Sequence, residues 1–444
     1  MIVGLTNTPR DYAWGSTSAI AELLGRRPSG APEAEYWLGA HPGSPSEITD
    51  SAPALAGRHL DEVLAAEPEA FVGPGRTRLP FLMKVLAADH ALSLQVHPDP
   101  EQARAGFARE NEAGVALDAP ERNYRDDSAK PELILALSPA FEALAGFRHV
   151  SEARLLLAEL QSFAADGDDA DAIGALADRL AAGDPGQAGS TGSSMDVNAT
   201  GMPDSGVTAP DHAASGNPLR DAVEWLLRGG SDVARLVPAI VGAAARASAT
   251  SSFRREFDTV AKLADEHPGD PGIVLALLLN RITLAQGQAM FLPAGSIHAY
   301  LEGVGIEVMT QSDNVLRGGL TSKHIDVDEL LAVTRFQAEP VPLSHPDSPV
   351  EGVRVWRVDS DDFVLAEVAL GDAAEVHGYR LAGPERTSFR LTGPAIVLTL
   401  TGGITLQGAT MQANLARGDA AFVTPDEGDL VFSGSGVAYV TTTP

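Results

Sequence analysis

Gly287-Gln288-Ala289-Met290-Phe291-Leu292-Pro293-Ala294-Gly295-Ser296-Ile297-His298 is the stretch on which the fold turns. Ala289–Leu292 is a short apolar run with the character of a strand. Pro293 and Gly295 then impose a tight turn. The chain returns as a second strand that carries His298 toward the inside of a closed sheet. A histidine delivered in this way is a metal-ligand candidate, and the rest of the chain can be searched for its partners.

Two distant stretches supply them. In Ala91-Leu92-Ser93-Leu94-Gln95-Val96-His97, an expected strand halted by Pro98 and Pro100, Gln95 and His97 are two residues apart. Residues i and i+2 of a strand share a face, so both side chains can reach one ion. The ordinary alternative is that Gln95 caps an edge and His97 begins a turn. In Lys130-Pro131-Glu132-Leu133-Ile134-Leu135, Pro131 can open a strand because it has no N–H to donate. A carboxylate inside that apolar run is costly if buried unpaired. A metal or a cation would explain Glu132; an outward-facing Glu on an edge strand is the plain alternative. Gln95, His97, Glu132 and His298 together are N and O donors without sulfur, a set suited to zinc, manganese, iron or cobalt.

The composition limits the classes of function. The chain has 444 residues, 44% hydrophobic, enough for two or three domains with substantial cores. The formal charge of −28 argues against nucleic-acid or anionic-membrane partners. With no cysteine there is no disulfide and no thiolate chemistry. No apolar run is long enough to span a bilayer, and Met1-Ile2-Val3-Gly4-Leu5 lacks a signal-peptide character, so a cytoplasmic protein is expected. A phosphorylated substrate would be repelled at long range and would need a local cluster of Lys and Arg.

The pattern predicts a mainly β protein with a helical insertion. Leu79–Leu86, Ala91–His97 and Glu132–Leu137 read as strands within 1–150. Residues 151–268 read as helices: Ser151–Glu159 with Leu155, Leu156, Leu157 and Leu160 on its apolar side, then Ala172–Ala182, Leu219–Leu227, Asp232–Ala247 and Ser252–Glu266. Between them Gly183–Pro218 is poor in apolar residues and is expected to be a flexible loop. Ile273–Leu279, Ala289–Leu292 and Gly305–Met309 read as strands and Asp326–Val333 as a short helix in 269–336. Residues 337–444 read as short strands with Gly-rich turns, including Phe363–Ala369, Ala395–Leu400, Ala420–Val423 and Val437–Thr441.

The Gly-x5-Pro-x-Gly-x2-His spacing matches the second motif of the cupin barrels, although Glu302 stands where that motif usually closes on Asn. The chain more broadly resembles the type I mannose-6-phosphate isomerases (phosphomannose isomerases). The shared segments are Tyr12–Gly15, Ala34–Pro42, Leu79–Asp99, Asn123–Glu132, Phe141–Arg148, Pro268–Asp270 and Phe291–Asp326. The resemblance implies two cupin-type jelly-roll barrels, the first catalytic and interrupted by an α-helical domain, the second free of metal. It implies a single zinc ion on the residues matching Gln95, His97, Glu132 and His298. It also implies an active site lined by Trp14, Ser93, Lys130, Tyr300, Glu307, Asp313, Arg317 and Lys323. The implied reaction interconverts mannose 6-phosphate and fructose 6-phosphate, a source of mannose for GDP-mannose and glycan synthesis. One departure stands out: many family members have His immediately before Lys-Pro-Glu, and here it is Ala129.

Moving a proton between C2 and C1 through an enediol needs a base near both carbons, a group that stabilises the oxyanion and an anchor for the phosphate. A divalent metal can fill the second role. Asp313–His324 supplies the cations Arg317 and Lys323, candidates for phosphate or transition-state contact, and Ser93 can donate its hydroxyl to a phosphate oxygen. Lys130 is the expected base and Glu307 its competitor. Asp313 would orient either one or assist ring opening. Trp14 and Tyr300 are expected at the sugar, Tyr36 and Trp37 in the core. An iron-dependent cupin oxygenase fits less well, because Gln95-Val96-His97 offers one His where that class wants two. A non-catalytic sugar-phosphate-binding cupin is the third reading. Whether the chain is a monomer or a homodimer is not encoded in any of these features.

Overall fold

The computed structural model describes residues 1–49, 52–182, 216–247, 249–371, 374–376 and 379–444. Of the expected loop 183–218, residues 183–215 lie outside the described residues, and Pro218 already belongs to the next helix, Pro218–Arg228. Asn217 starts that helix by accepting hydrogen bonds from the Leu219 and Arg220 amides, with Pro218 at a position where no donor is needed.

Two ten-stranded antiparallel sheets dominate the described residues. The sheet that holds the candidate ligands runs in the order Leu316–Gly319, Leu94–Val96, His298–Thr310, Glu132–Ala136, Ala289–Leu292, Leu343–Ser344. Phe81–Ala88 and Ala140–Phe147 also pair with the long strand His298–Thr310, and Glu35–Leu38 pairs with Phe81–Ala88. His298–Thr310 is therefore the spine of the site. The other sheet contains most of the C-terminal strands, and the N-terminal strand Ile2–Thr6 joins it by pairing with Ala420–Val423. Glu47–Ile48 extends the same edge. Both short strands fall within the 1–150 segment, yet they complete the C-terminal sheet.

The expected helices form. Val150–Ser162, Gly167–Ala181, Pro218–Arg228, Ser231–Arg246 and Arg254–Glu266 share one apolar core. Leu155 departs from expectation. Ala153, Leu156, Leu157 and Leu160 face that core, whereas Leu155 is 64% exposed because the helical period turns it outside their stripe.

One other reading is corrected, and one is extended. Ile273–Leu279, read as a strand, instead overlaps the buried helical turn Gly272–Ala276, and the strand Leu279–Ala285 begins at its last residue. Asp270 accepts from the Gly272 amide at 2.7 Å and its carbonyl accepts from Ile273, so turn chemistry overrides the β propensity of Ile273 and Val274. Pro98 and Pro100 do end a strand, but they also lead into the helix Pro100–Glu112. Asp99 and Gln102 form a reciprocal capping box there, with Pro100 in the first turn.

Candidate active site

Register along His298–Thr310 decides which side chains meet. His298 lies opposite Gln95 on one neighbour, and Gln95 lies opposite Arg317 on the next. Further along, Glu307 lies opposite Lys84, Lys84 opposite Trp37, and Met309 opposite Glu132. Directly paired residues of antiparallel strands share a face. Strict alternation would put His298 and Glu307 on opposite faces, because the count between them is odd. The register slips by one between Tyr300 and Glu302, and this bulge restores both to one face. Gly303, at φ +128°, sits beside it, where an added Cβ would run into Phe141 and the Ala140 carbonyl. Glu302 consequently faces outward and takes Lys262 at 2.6 Å.

Three of the four expected ligands converge. One side-chain donor atom from each of His97, Glu132 and His298 lies within 4.8 Å of the others, and all three residues are buried. Each imidazole uses Nδ1 on a backbone carbonyl, His97 on Asn314 at 2.7 Å and His298 on Ser296 at 2.9 Å. Those contacts leave both Nε2 atoms free. Nε2 of His97 and of His298 and Oε2 of Glu132 are buried without a hydrogen-bond partner. Each Nε2 lies 3.3 Å from a Glu132 oxygen. Buried polar atoms without a protein partner and aimed at one point form a donor set that fits a cation. Burial, then Lys130, pushes the His97 imidazole down to about 4. Burial would raise the Glu132 carboxyl, yet Lys130, His97 and His298 hold it well below the usual carboxylate range. Neutral imidazole and ionised carboxylate are the ligating forms. Gln95, half-buried, lies directly across from His298 on the neighbouring strand, and His97 follows just past that strand's end.

Asn314 supports this cluster. Its side chain accepts from the Arg125 and Asp126 amides and donates to the Asp126 and Ser128 carbonyls, tying the segment before Lys130 to the carbonyl that holds His97.

A cleft of about 860 Å³ opens beside the cluster. Gln95, Lys130, Trp14, Ser93, Asp313, Arg317 and Lys323 all line it. Lys130 Nζ is 2.7 Å from Glu132 Oε1. Trp14 stacks on Tyr12 at 5.7 Å between ring centroids. Burial, then the like charge of Arg125, lowers the Arg317 guanidinium; burial, Arg317 and Arg125 lower the Lys323 ammonium. A chain with a net charge of −28 has thus gathered cations here whose strongest electrostatic neighbours are other cations. Glu307 and Tyr300 lie behind the lining, 3% and 1% exposed. Burial, then the Glu307 and Glu132 carboxylates, raises the Tyr300 hydroxyl, which has no hydrogen-bond partner.

Besides Asn314 and Arg125, the residues Lys84, Glu35 and His41 carried no role in the sequence reading. Lys84 joins Glu307 at 2.8 Å and Glu35 at 3.4 Å. Glu35 also accepts from the Trp37 indole at 3.0 Å. His41 reaches Asp313 at 3.4 Å. The signal for Lys84 and Glu35 was present: each is a charge inside an apolar run, the argument already applied to Glu132. Tyr36 is in the core as expected, while Trp37, though 8% exposed, also lines the cleft. Ala129 faces elsewhere. With Pro131 it lines a separate cavity of about 400 Å³ on the far side of the Lys130–Glu132 segment.

The chain is similar to known proteins over nearly its whole length. Residues 2–150 match the family model for the phosphomannose isomerase type I catalytic domain. The mannose-6-phosphate isomerase of Escherichia coli K12 is 33% identical over 438 residues, 97% of each chain. The chain belongs to the type I mannose-6-phosphate isomerase family. The bovine mannose-6-phosphate isomerase is 28% identical over 442 residues, 94% of this chain and 92% of that one. Among solved structures, a point mutant of phosphomannose isomerase from Salmonella typhimurium superposes with a TM-score of 0.79 at 31% identity, covering 100% of this chain and 99% of that one. A zinc-bound holo mannose 6-phosphate isomerase gives 0.79 at 32% identity with the same coverage. Among the described residues, no helix is long and apolar enough to cross a membrane.

Proposed function

We propose that this chain interconverts mannose 6-phosphate and fructose 6-phosphate through an enediol, supplying mannose for GDP-mannose and glycan synthesis in the cytoplasm. The observation that carries the reading is the convergence of the free Nε2 atoms of His97 and His298 on Glu132 beside a cleft rimmed by Arg317 and Lys323. Gln95, His97, Glu132 and His298 would hold one zinc ion, which supplies Lewis-acid polarisation of the sugar oxygens when bound. Arg317, Lys323 and Ser93 anchor the phosphate. Trp14 packs on the sugar, and Tyr300 shapes the pocket from beneath.

Lys130 lines the cleft and is the group that moves the proton between C1 and C2. Glu307 stands behind it; burial raises its carboxyl despite Lys84, with Glu132 and Glu35 adding to the rise. Asp313 also lines the cleft, next to the segment that leads into Lys130, and serves ring opening. The fold reading that accompanies this function is a catalytic jelly-roll barrel from 1–150 and 269–336, a helical domain at 151–268, and a second jelly-roll at 337–444.

A coupled assay tests the activity. Fructose 6-phosphate formed from mannose 6-phosphate should be lost with chelator and restored with zinc. Absence of chelator-sensitive turnover rejects the reading. Lys130→Met should lose turnover while retaining metal; substantial turnover in a metal-replete Lys130→Met protein would move the proton-transfer role to Glu307.

A further inference from the structure

His41 is buried, 4% exposed, yet it lines the cleft. Its ring is fixed from three sides. The Gly43 amide donates to Nδ1 at 3.0 Å. Trp37 packs edge-on, 4.9 Å between centroids with the planes 84° apart. Nε2 points to Asp313 Oδ1 at 3.4 Å. Because Nδ1 accepts from an amide, it must keep its lone pair, so the ring proton is on Nε2 and faces Asp313. The Trp37 indole is itself held by Glu35 at 3.0 Å, which stops the wall behind His41 from shifting.

Asp313 needs such help. Its carboxylate is 46% exposed, and its backbone is pinned by the Asp313 amide donating to Asp126 Oδ2 at 2.8 Å. Among the described residues, the ion-pair contact of its side chain is with His41. A carboxylate that acts on a substrate loses rate when it swings away from the productive position.

We propose that His41 is a positioning residue: as the Nε2–H tautomer it orients the Asp313 carboxylate toward the sugar. This rests on the assignment of Asp313 to ring opening. The two nitrogens have separate partners, so their amide mimics separate the roles. His41→Gln can place an N–H near the Nε2 position and keep the Asp313 contact. His41→Asn can keep only the contact with the Gly43 amide.

The test uses the full-length, zinc-replete protein. His41→Asn should lower kcat by about ten- to a hundredfold with little change in KM. His41→Gln should recover most of that loss, and His41→Asn should cause no further loss in an Asp313→Asn background. Equal loss in both His41 variants, or a full His41→Asn loss on top of Asp313→Asn, overturns the inference while leaving Asp313 in place. Near-normal kcat in Asp313→Asn alone overturns the role of Asp313 and the inference with it. The tautomer can be read without any His41 variant. Long-range proton–nitrogen NMR of histidine-labelled wild-type protein should show His41 Nδ1 unprotonated; a proton on Nδ1 overturns the inference.

Discussion

Lys84 Nζ stands 2.8 Å from Glu307 Oε2 on a directly paired strand, and both side chains are nearly inaccessible to solvent. Burial opposes the charge on Lys84, but Glu307 and Glu35 outweigh it and hold the ammonium above the usual lysine range. Removing one partner of a buried pair strands the other charge, at a cost of about 3–5 kcal/mol. Lys84→Met should therefore lower the urea midpoint sharply, and Lys84→Met/Glu307→Gln should regain part of the loss. Simple additivity of the two changes would show that the pair is not coupled.

His298 contributes an unpartnered buried nitrogen to the candidate metal centre. His298→Ala should abolish zinc retention after gel filtration and cancel the zinc-dependent rise in Tm. A stoichiometric zinc content in that variant would remove His298 from the ligand set. Asn314→Ala frees His97 Nδ1 less completely, because the carbonyl stays; its effect should be a weakening of about 10–100-fold in metal affinity.

Arg317 and Lys323 differ in depth: Arg317 is half-buried and Lys323 exposed. Arg317→Ala should lower kcat/KM by about a hundred- to a thousandfold. Lys323→Ala should mainly raise KM for the phosphorylated sugar. Near-normal kcat and KM in Arg317→Ala would sink its assignment.

Ala129 faces the cavity behind the Lys130–Glu132 segment and does not line the cleft. Restoring the residue common in the family, Ala129→His, should leave kcat close to wild type. A large gain would mean that the segment turns over when substrate binds.

Glu427 lies far from the cleft and reports on acid stability. Burial would raise its carboxyl, but the amino terminus, the Thr410 hydroxyl and the Thr410 and Met411 amides bring it down to about 2. A lowered carboxyl stabilises the fold above its ordinary value of about 4.3, and that contribution disappears as pH falls through about 2. Urea midpoints measured from pH 5 downward should fall less steeply in Glu427→Gln than in wild type. Parallel curves would assign the acid limb to other carboxylates.

The sequence carried the ligand types well, because His298 follows a Pro-Gly turn and Glu132 interrupts an apolar run. It could not carry Glu307 to the same face, since alternation alone misplaces it and the bulge at Leu301 is a property of pairing with Ala140–Phe147. The roles of Lys84 and His41 were hidden for a related reason, although the charge of Lys84 inside an apolar run was itself a signal. Each derives its meaning from a partner supplied by a distant strand or turn, Glu307 in one case and Asp313 in the other. The helix Gly272–Ala276 was misread because local β propensity lost to the Asp270 turn.

Ile2–Thr6 and its partner Ala420–Val423 lie at opposite ends of the sequence. On the ribosome the first emerges long before the second exists. Its open edge must therefore wait through the synthesis of both the ligand-bearing sheet and the helices, a period in which an unpaired strand is available for wrong pairing. Strands made hundreds of residues later are then the ones that shelter it, so a nascent chain stalled before residue 420 should be more vulnerable to aggregation or proteolysis than one stalled just after the full sheet is released.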